Sequence, residues 1–478
     1  MSEQTLKRSL GLIGLIATGA SSMIGASIYI VPFEIQAAVP GLGNNVLYAF
    51  ILAAIPALIS AFAYAILSAS MPFAGGSYIY VSRTLHPFFG FISSFSQWFG
   101  LSIVMGVIAY MVGAFIGDIA LNLGYDEVAS WFNEGLSRLL ISLILLWFFV
   151  FINITGIKSY QFIVVLLVVI TFILGSFVIY FASSKTSVIF TDAVLQKTGK
   201  NIPTAISKFN WDKIVAASTI LFASFIGFDS IAQVGGEARN PSRNLPAAIL
   251  LTFLIVSVFY IVFTYSIYKI VPWNFISTEA AEKDVSAVSL LGYLLDKDAT
   301  IIILFGACIA LLKDLPSMIL SVSRFVYAWS KDNLFPSIFS KIHPTCNTPH
   351  YAIIFSGIIA SAGVAGCHFA SDIFLGIDIM VISMLVNFTL ICISVCNLPE
   401  IKEEEKYRMF IIRNKNVQKL ISCIGIAFLF VFLVIIVKKD IHSVQKEIYF
   451  HPTYVWIIVM LLSAMYYFIN QKYFQKHH

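Results

Sequence analysis

Three stretches of this chain place residues capable of chemistry inside long apolar runs. The first reads Gly19-Ala20-Ser21-Ser22-Met23-Ile24-Gly25-Ala26-Ser27. The second reads Ala223-Ser224-Phe225-Ile226-Gly227-Phe228-Asp229-Ser230. The third is the adjacent pair Lys313-Asp314. Glycine and small hydroxyl residues weaken a helix and free backbone groups. A broken helix then offers amide N–H groups where one half begins and carbonyls where the other half ends. A zwitterion uses both. Its carboxylate suits the amides and the hydroxyl of Ser22 or Ser27, and its ammonium suits carbonyls near Met23 and Ile226. Side chains on neighbouring helices must read the remainder. Small residues also let helices pack closely, which is the alternative reading of either stretch alone. Two matched interruptions, one carrying Asp229, favour a site.

The elements that must position these residues are membrane spans. The 478 residues are 59% hydrophobic and 12% charged, against about a quarter charged in soluble domains. Apolar blocks of a length to cross ~30 Å of hydrocarbon give twelve predicted helices. They cover 10–38, 45–70, 87–120, 136–154, 160–182, 214–236, 246–271, 300–329, 351–370, 372–397, 418–437 and 452–469. The N-terminal run resembles a signal peptide but resumes at Met23 and passes Ile30, so it reads as helix 1. The interruptions fall in helices 1 and 6, five spans apart. A five-span unit used twice with inverted topology makes them equivalent and puts a binding site between them near mid-membrane. The expected organisation is residues 1–182 as the first repeat, 183–213 as an outer loop and 214–397 as the second repeat. A cytoplasmic loop follows at 398–417, then helices 11 and 12 with a tail at 418–478. Lys402, Lys406, Arg408, Arg413 and Lys415 place that loop, and both chain ends, in the cytoplasm of a plasma membrane, as in a bacterial inner membrane. The Glu403-Glu404-Glu405 run within it reads as solvated.

Other classes find no support. The net charge of +5 is not concentrated in a basic stripe, which excludes a nucleic-acid partner. The six cysteines form no Cys-x-x-Cys pair and read as packing residues, without metal. No Ser-His-Asp or zinc arrangement is visible, so neither an enzyme nor a cofactor is expected. His86, His343 and His350 receive no role. Asp378 and Asn387 lie in or near helix 10, where a polar residue is often functional; Asp378, near the outer end, fits a wet position or a site equally.

Further motifs carry a family resemblance. They are Met23-Ile24-Gly25-Ala26-Ser27-Ile28-Tyr29, Pro72-Phe73-Ala74-Gly75-Gly76-Ser77-Tyr78-Ile79-Tyr80 and Asn153-Ile154-Thr155-Gly156-Ile157-Lys158. Then come Phe225-Ile226-Gly227-Phe228-Asp229, with Glu237-Ala238-Arg239-Asn240-Pro241 and Arg243-Asn244-Leu245-Pro246, and finally Ser323-Arg324, Lys331-Asp332 and Leu334-Phe335-Pro336. In this order the chain resembles the amino acid–polyamine–organocation superfamily of permeases, over nearly its whole length. The resemblance implies the leucine-transporter fold and a secondary transporter of amino acids. It implies that Ala26 and Ser27 face the substrate carboxylate, and that carbonyls of Met23, Ala223 and Ile226 face the ammonium. Asp229 becomes a gate or proton-linked carboxylate, with protons as a coupling partner. Gly100 and Leu101 line the side-chain pocket, and Phe222 or Phe228 forms an aromatic lid. A polyamine carrier and a non-transporting sensor are the rival readings on this fold.

The chain also departs from that pattern. Ile66 stands where many members have Glu, and Thr171 where many have a lysine in helix 5. Helix 8 instead carries Lys313, about twelve residues in and ~18 Å deep. A charge there is expensive. Its ammonium could replace the cation that links helices 8 and 1 in sodium-coupled relatives, making transport sodium-independent. Lys313 and Asp314 point about 100° apart on a helix and need not pair; a structural ion pair is the alternative.

Overall fold

The computed structural model describes residues 6–25, 27–133, 135–202, 206–282, 285–370, 374–398, 414–442 and 451–477. Among them lie twelve helices long and apolar enough to cross a membrane. Helices 1 to 5 are Leu12–Ala38, Gly43–Ser70, Pro87–Leu123, Gly135–Thr155 and Ile157–Ser183. Helices 6 to 10 are Trp211–Gln233, Pro241–Ile270, Lys297–Lys331, His350–Phe369 and Leu375–Cys396, followed by helix 11, Lys415–Ile441, and helix 12, Pro452–Gln471. The third span is the longest in each set of five, at 37 and 35 residues, and the fourth is the shortest, at 21 and 20.

Burial separates an inner bundle from an outer shell. Helix 6 is 78% buried, while helices 5 and 11 are 28% and 22% buried and turn apolar side chains outward. Helices 1, 2, 3, 6, 7, 8 and 10 therefore form the interior that positions the site.

Several boundaries differ from the sequence reading. Helix 7 begins at Pro241, not Pro246, because Asn240 (φ 45°) ends the preceding turn and proline suits a first helical position. The 183–213 segment is not a plain loop: Ser187–Thr198 is helical. The acidic run 403–405 and Lys402, Lys406, Arg408 and Arg413 lie outside the described residues. Asp378 is exposed on helix 10.

The membrane face on which helix 1 begins, called here the N face, is sealed. Leu10 and Ala238 form a parallel bridge, with the Arg239 amide donating to the Leu10 carbonyl at 2.8 Å. The Gly75 amide donates to the Gln233 carbonyl at 3.0 Å. Gly75 has φ +88°, and a Cβ on it would lie 2.4 Å from Ala328, so only glycine turns the chain there. Beneath this seal Arg324 grips the Glu237 carboxylate through Nε (3.1 Å) and a terminal nitrogen (2.5 Å), both side chains buried. Arg239 and Arg243 are the arginines nearest Glu237 in sequence. Those two arginines are exposed, and the partner comes from helix 8. Replacing Glu237 by Ala leaves a buried guanidinium unpaired. We expect a loss of about 3–5 kcal/mol, read as a fall in the thermal unfolding midpoint of the purified protein.

Candidate functional site

Helix 1 stops at Met23 because Ile24 leaves helical geometry (φ −90°, ψ 83°), and it resumes at Ser27. Helix 6 loses its α geometry after Leu221. A 3₁₀ turn runs through Phe225, Ile226 is extended (φ −76°, ψ 138°), Gly227 takes φ +132°, and Ser230 restarts the helix. A Cβ on Gly227 would lie 2.4 Å from the Ser22 carbonyl carbon and oxygen and 2.6 Å from the Met23 amide. The two interruptions thus meet backbone to backbone. Asp229 holds the helix 6 break in shape. Its Oδ1 accepts the Gly227 amide at 3.1 Å, and its Oδ2 accepts Gln97 Nε2 of helix 3.

Groups of the protein fill the helix 1 break. Helix 8 passes through Lys313 with helical geometry (φ −68°, ψ −21°), joining Lys297–Leu312 to Asp314–Lys331. The Lys313 ammonium donates to the Ser21 carbonyl at 2.9 Å and to the Ile24 carbonyl. It also donates to Asp314 Oδ1 at 2.9 Å, with both side chains buried. The two do pair, contrary to the expectation that they diverge, because the long lysine side chain bends back to its neighbour's carboxylate although the backbone at Lys313 stays helical. The reverse contact, Ser21 Oγ to the Lys313 carbonyl, closes the junction, and Ser317 Oγ reaches Ser21 Oγ at 3.1 Å.

Tyr260 of helix 7 spans the same break from the other side. Its hydroxyl donates to the Met23 carbonyl at 3.2 Å, so Ser27 Oγ donates to it at 2.6 Å. Met23 and Ser27, expected to face the two ends of a zwitterion, are both engaged by this one hydroxyl. The sequence reading missed Tyr260; a phenol in an apolar helix, shared with Phe259 and Phe263, was the available signal. Ser22 Oγ is buried and has no hydrogen-bond partner among the described residues.

A second omission is the polar cluster behind Asp229. Gln97 Oε1 accepts from Ser77 Oγ (2.7 Å) and Asn387 Nδ2 (2.9 Å). Asn387 Nδ2 also donates to the Tyr64 hydroxyl (2.7 Å), and Gln233 Nε2 to Ser77 Oγ (3.0 Å). All are buried. Asn387 is therefore an interior network residue. The network joins helices 2, 3, 6 and 10 and the turn that seals the N face.

Some expected pocket residues take other places. A Cβ on Gly100 would lie 2.9 Å from Met380 Cα and Ser383 Cβ of helix 10, so Gly100 is a close-packing residue rather than pocket lining. Leu101 is buried one turn beyond Gln97. Phe222 packs on Phe388 and Phe432, and Phe228 on Tyr64, Phe253 and Phe388. Both are locked in an aromatic core and neither is a free lid. The Ala223 carbonyl accepts the Ile226 amide at 3.2 Å. Ala26 lies outside the described residues.

Twelve apolar spans with touching breaks in the first and sixth define a polytopic membrane carrier architecture. A model of the amino acid permease family matches residues 10–462. The chain belongs to that family, within the amino acid–polyamine–organocation superfamily. It is 28% identical over 358 residues to the serine/threonine exchanger SteT of Bacillus subtilis, covering 74% of this chain and 76% of that protein. It is 31% identical over 208 residues to the vacuolar cationic amino acid transporter 2 of Arabidopsis thaliana, covering 44% and 31%. It is 32% identical over 197 residues to the methylthioribose transporter of Bacillus subtilis, covering 40% of each. The chain spans less than half the length of the last two.

Proposed function

We propose that this chain is a secondary transporter of amino acids. It works by alternating access around the junction of helices 1 and 6 and needs no sodium. The observation that carries this reading is the backbone contact between Gly227 and Ser22–Met23, where two interrupted helices meet. Family membership and the transporters it resembles support an amino acid as cargo. Residues 1–182 and 214–397 act as the two inverted repeats, and both chain ends face the cytoplasm of a plasma membrane, bacterial inner membranes included. Ser22, Gly25, Ala26, Ile226 and Gly227 supply backbone and hydroxyl groups to the amino-acid head, and Leu101 and Ala223 flank it. Asp229 is the proton-linked or gating carboxylate.

Sodium independence rests on Lys313. A lysine ammonium on the Ser21 and Ile24 carbonyls supplies permanently the positive charge that a bound cation would supply. Initial uptake of amino acid into proteoliposomes is expected to be equal in sodium and in choline buffer. Strong sodium dependence sinks this part of the reading. A second reading, an organic-cation carrier, draws on the buried carboxylates Asp229 and Asp314. A thermal-shift screen against the twenty amino acids and common polyamines separates the two, since a ligand of the folded state raises its melting temperature.

A further inference from the structure

We propose that the Lys313–Asp314 pair stands in for substrate in the empty carrier, so that the protein returns unloaded and carries out net transport rather than obligatory exchange. This deepens the amino-acid reading above and rests on it.

The argument begins at Gly25. A Cβ there would lie 2.8 Å from Asp314 Oδ2, with the Ser27 amide nitrogen 3.7 Å from the same point. The Asp314 carboxylate therefore occupies the space left by the missing side chain, in the break ahead of the second half of helix 1. Its other oxygen, Oδ1, holds the Lys313 ammonium at 2.9 Å, and that ammonium sits on the carbonyls that close the first half. Ammonium on carbonyls and carboxylate at a helix start is the charge arrangement of a bound amino acid head group. Here the chain makes it from two consecutive residues of helix 8.

A zwitterion can enter this arrangement without leaving a charge unpaired. Its carboxylate takes the place of Asp314 beside Lys313 and the helix start. The displaced Asp314 carboxylate, on the same helix turn, accepts the incoming ammonium. One internal pair becomes two mixed pairs, no proton moves, and the net charge is unchanged. When the substrate leaves, the internal pair re-forms. The empty site is then as fully paired as the loaded one, so the unloaded carrier can close and reorient. A carrier whose empty site leaves a buried Lys unpaired could not, because an uncompensated buried charge is strongly destabilising.

The test separates two fluxes in proteoliposomes. Net uptake is measured into vesicles without internal substrate, and exchange into vesicles preloaded with it. Wild type is expected to do both. Asp314→Asn is tested with a deaminated analogue, a carboxylate bearing the same side chain: the empty site strands the lysine, while the loaded site pairs it with the analogue's carboxylate and leaves no ammonium stranded. The ratio of net uptake to exchange should fall by at least about tenfold. If the Asn variant does not fold, the wild-type comparison of net uptake with exchange decides the matter. Wild type limited to exchange, or an Asn variant in which both fluxes fall together, overturns the proposal and leaves the transporter reading standing. Wild type that moves no amino acid in either format overturns both.

Discussion

Gly227→Ala is expected to abolish substrate binding and transport. The methyl group has no place to go: its carbon would sit 2.4 Å from the Ser22 carbonyl, which is backbone and cannot rotate away. The φ of +132° at Gly227 is also one that L-residues rarely adopt. Strain and overpacking together cost on the order of 3 kcal/mol or more. Helix 6 can relieve that only by withdrawing from helix 1, and withdrawal parts the two breaks. The measurements are ligand-induced thermal stabilisation and uptake by purified protein. An alanine variant that binds and transports like wild type would show that the junction is not the site.

Lys313→Met should be equally severe for a different reason. It strands Asp314 in a buried position and removes the donor from the Ser21 and Ile24 carbonyls. Breaking a buried pair from one side costs about 3–5 kcal/mol. Uptake and the unfolding midpoint should both collapse. Lys313→Met combined with Asp314→Leu should recover much of the unfolding midpoint, because no lone charge remains, but not the transport. A double variant that transports normally would reduce the pair to a structural tie.

How far these features were legible in the sequence depends on whether the signal was local. The two breaks were readable because glycine and serine inside an apolar run are anomalous wherever the run packs. The depth of Lys313 was readable for the same reason. Its pairing with Asp314 was not, because the 100° between neighbouring helix positions does not say how far a long lysine side chain bends back. Gly100 and Phe222 were misassigned because residue type does not say which neighbour a helix face meets. Gly100 meets helix 10 and Phe222 meets Phe388 and Phe432. Tyr260 and Gln97 became site residues only through partners more than a hundred positions away. No local signal marks the partner of Glu237, because Arg324 lies 87 residues on.

The Glu237–Arg324 clasp has a mechanical consequence. A surface ion pair loosens gradually, with water replacing each contact as it lengthens. A buried pair has no such gradual path. Parting the charges slightly, before water can reach them, loses attraction and gains no hydration. The low-energy arrangements are fully clasped and dry, or fully parted and wet. The N face should therefore behave as a toggle with a threshold. A push from the site has no lasting effect until it exceeds that threshold, and then the whole seal gives way at once. Variants that merely soften the clasp should turn this abrupt response into a leak.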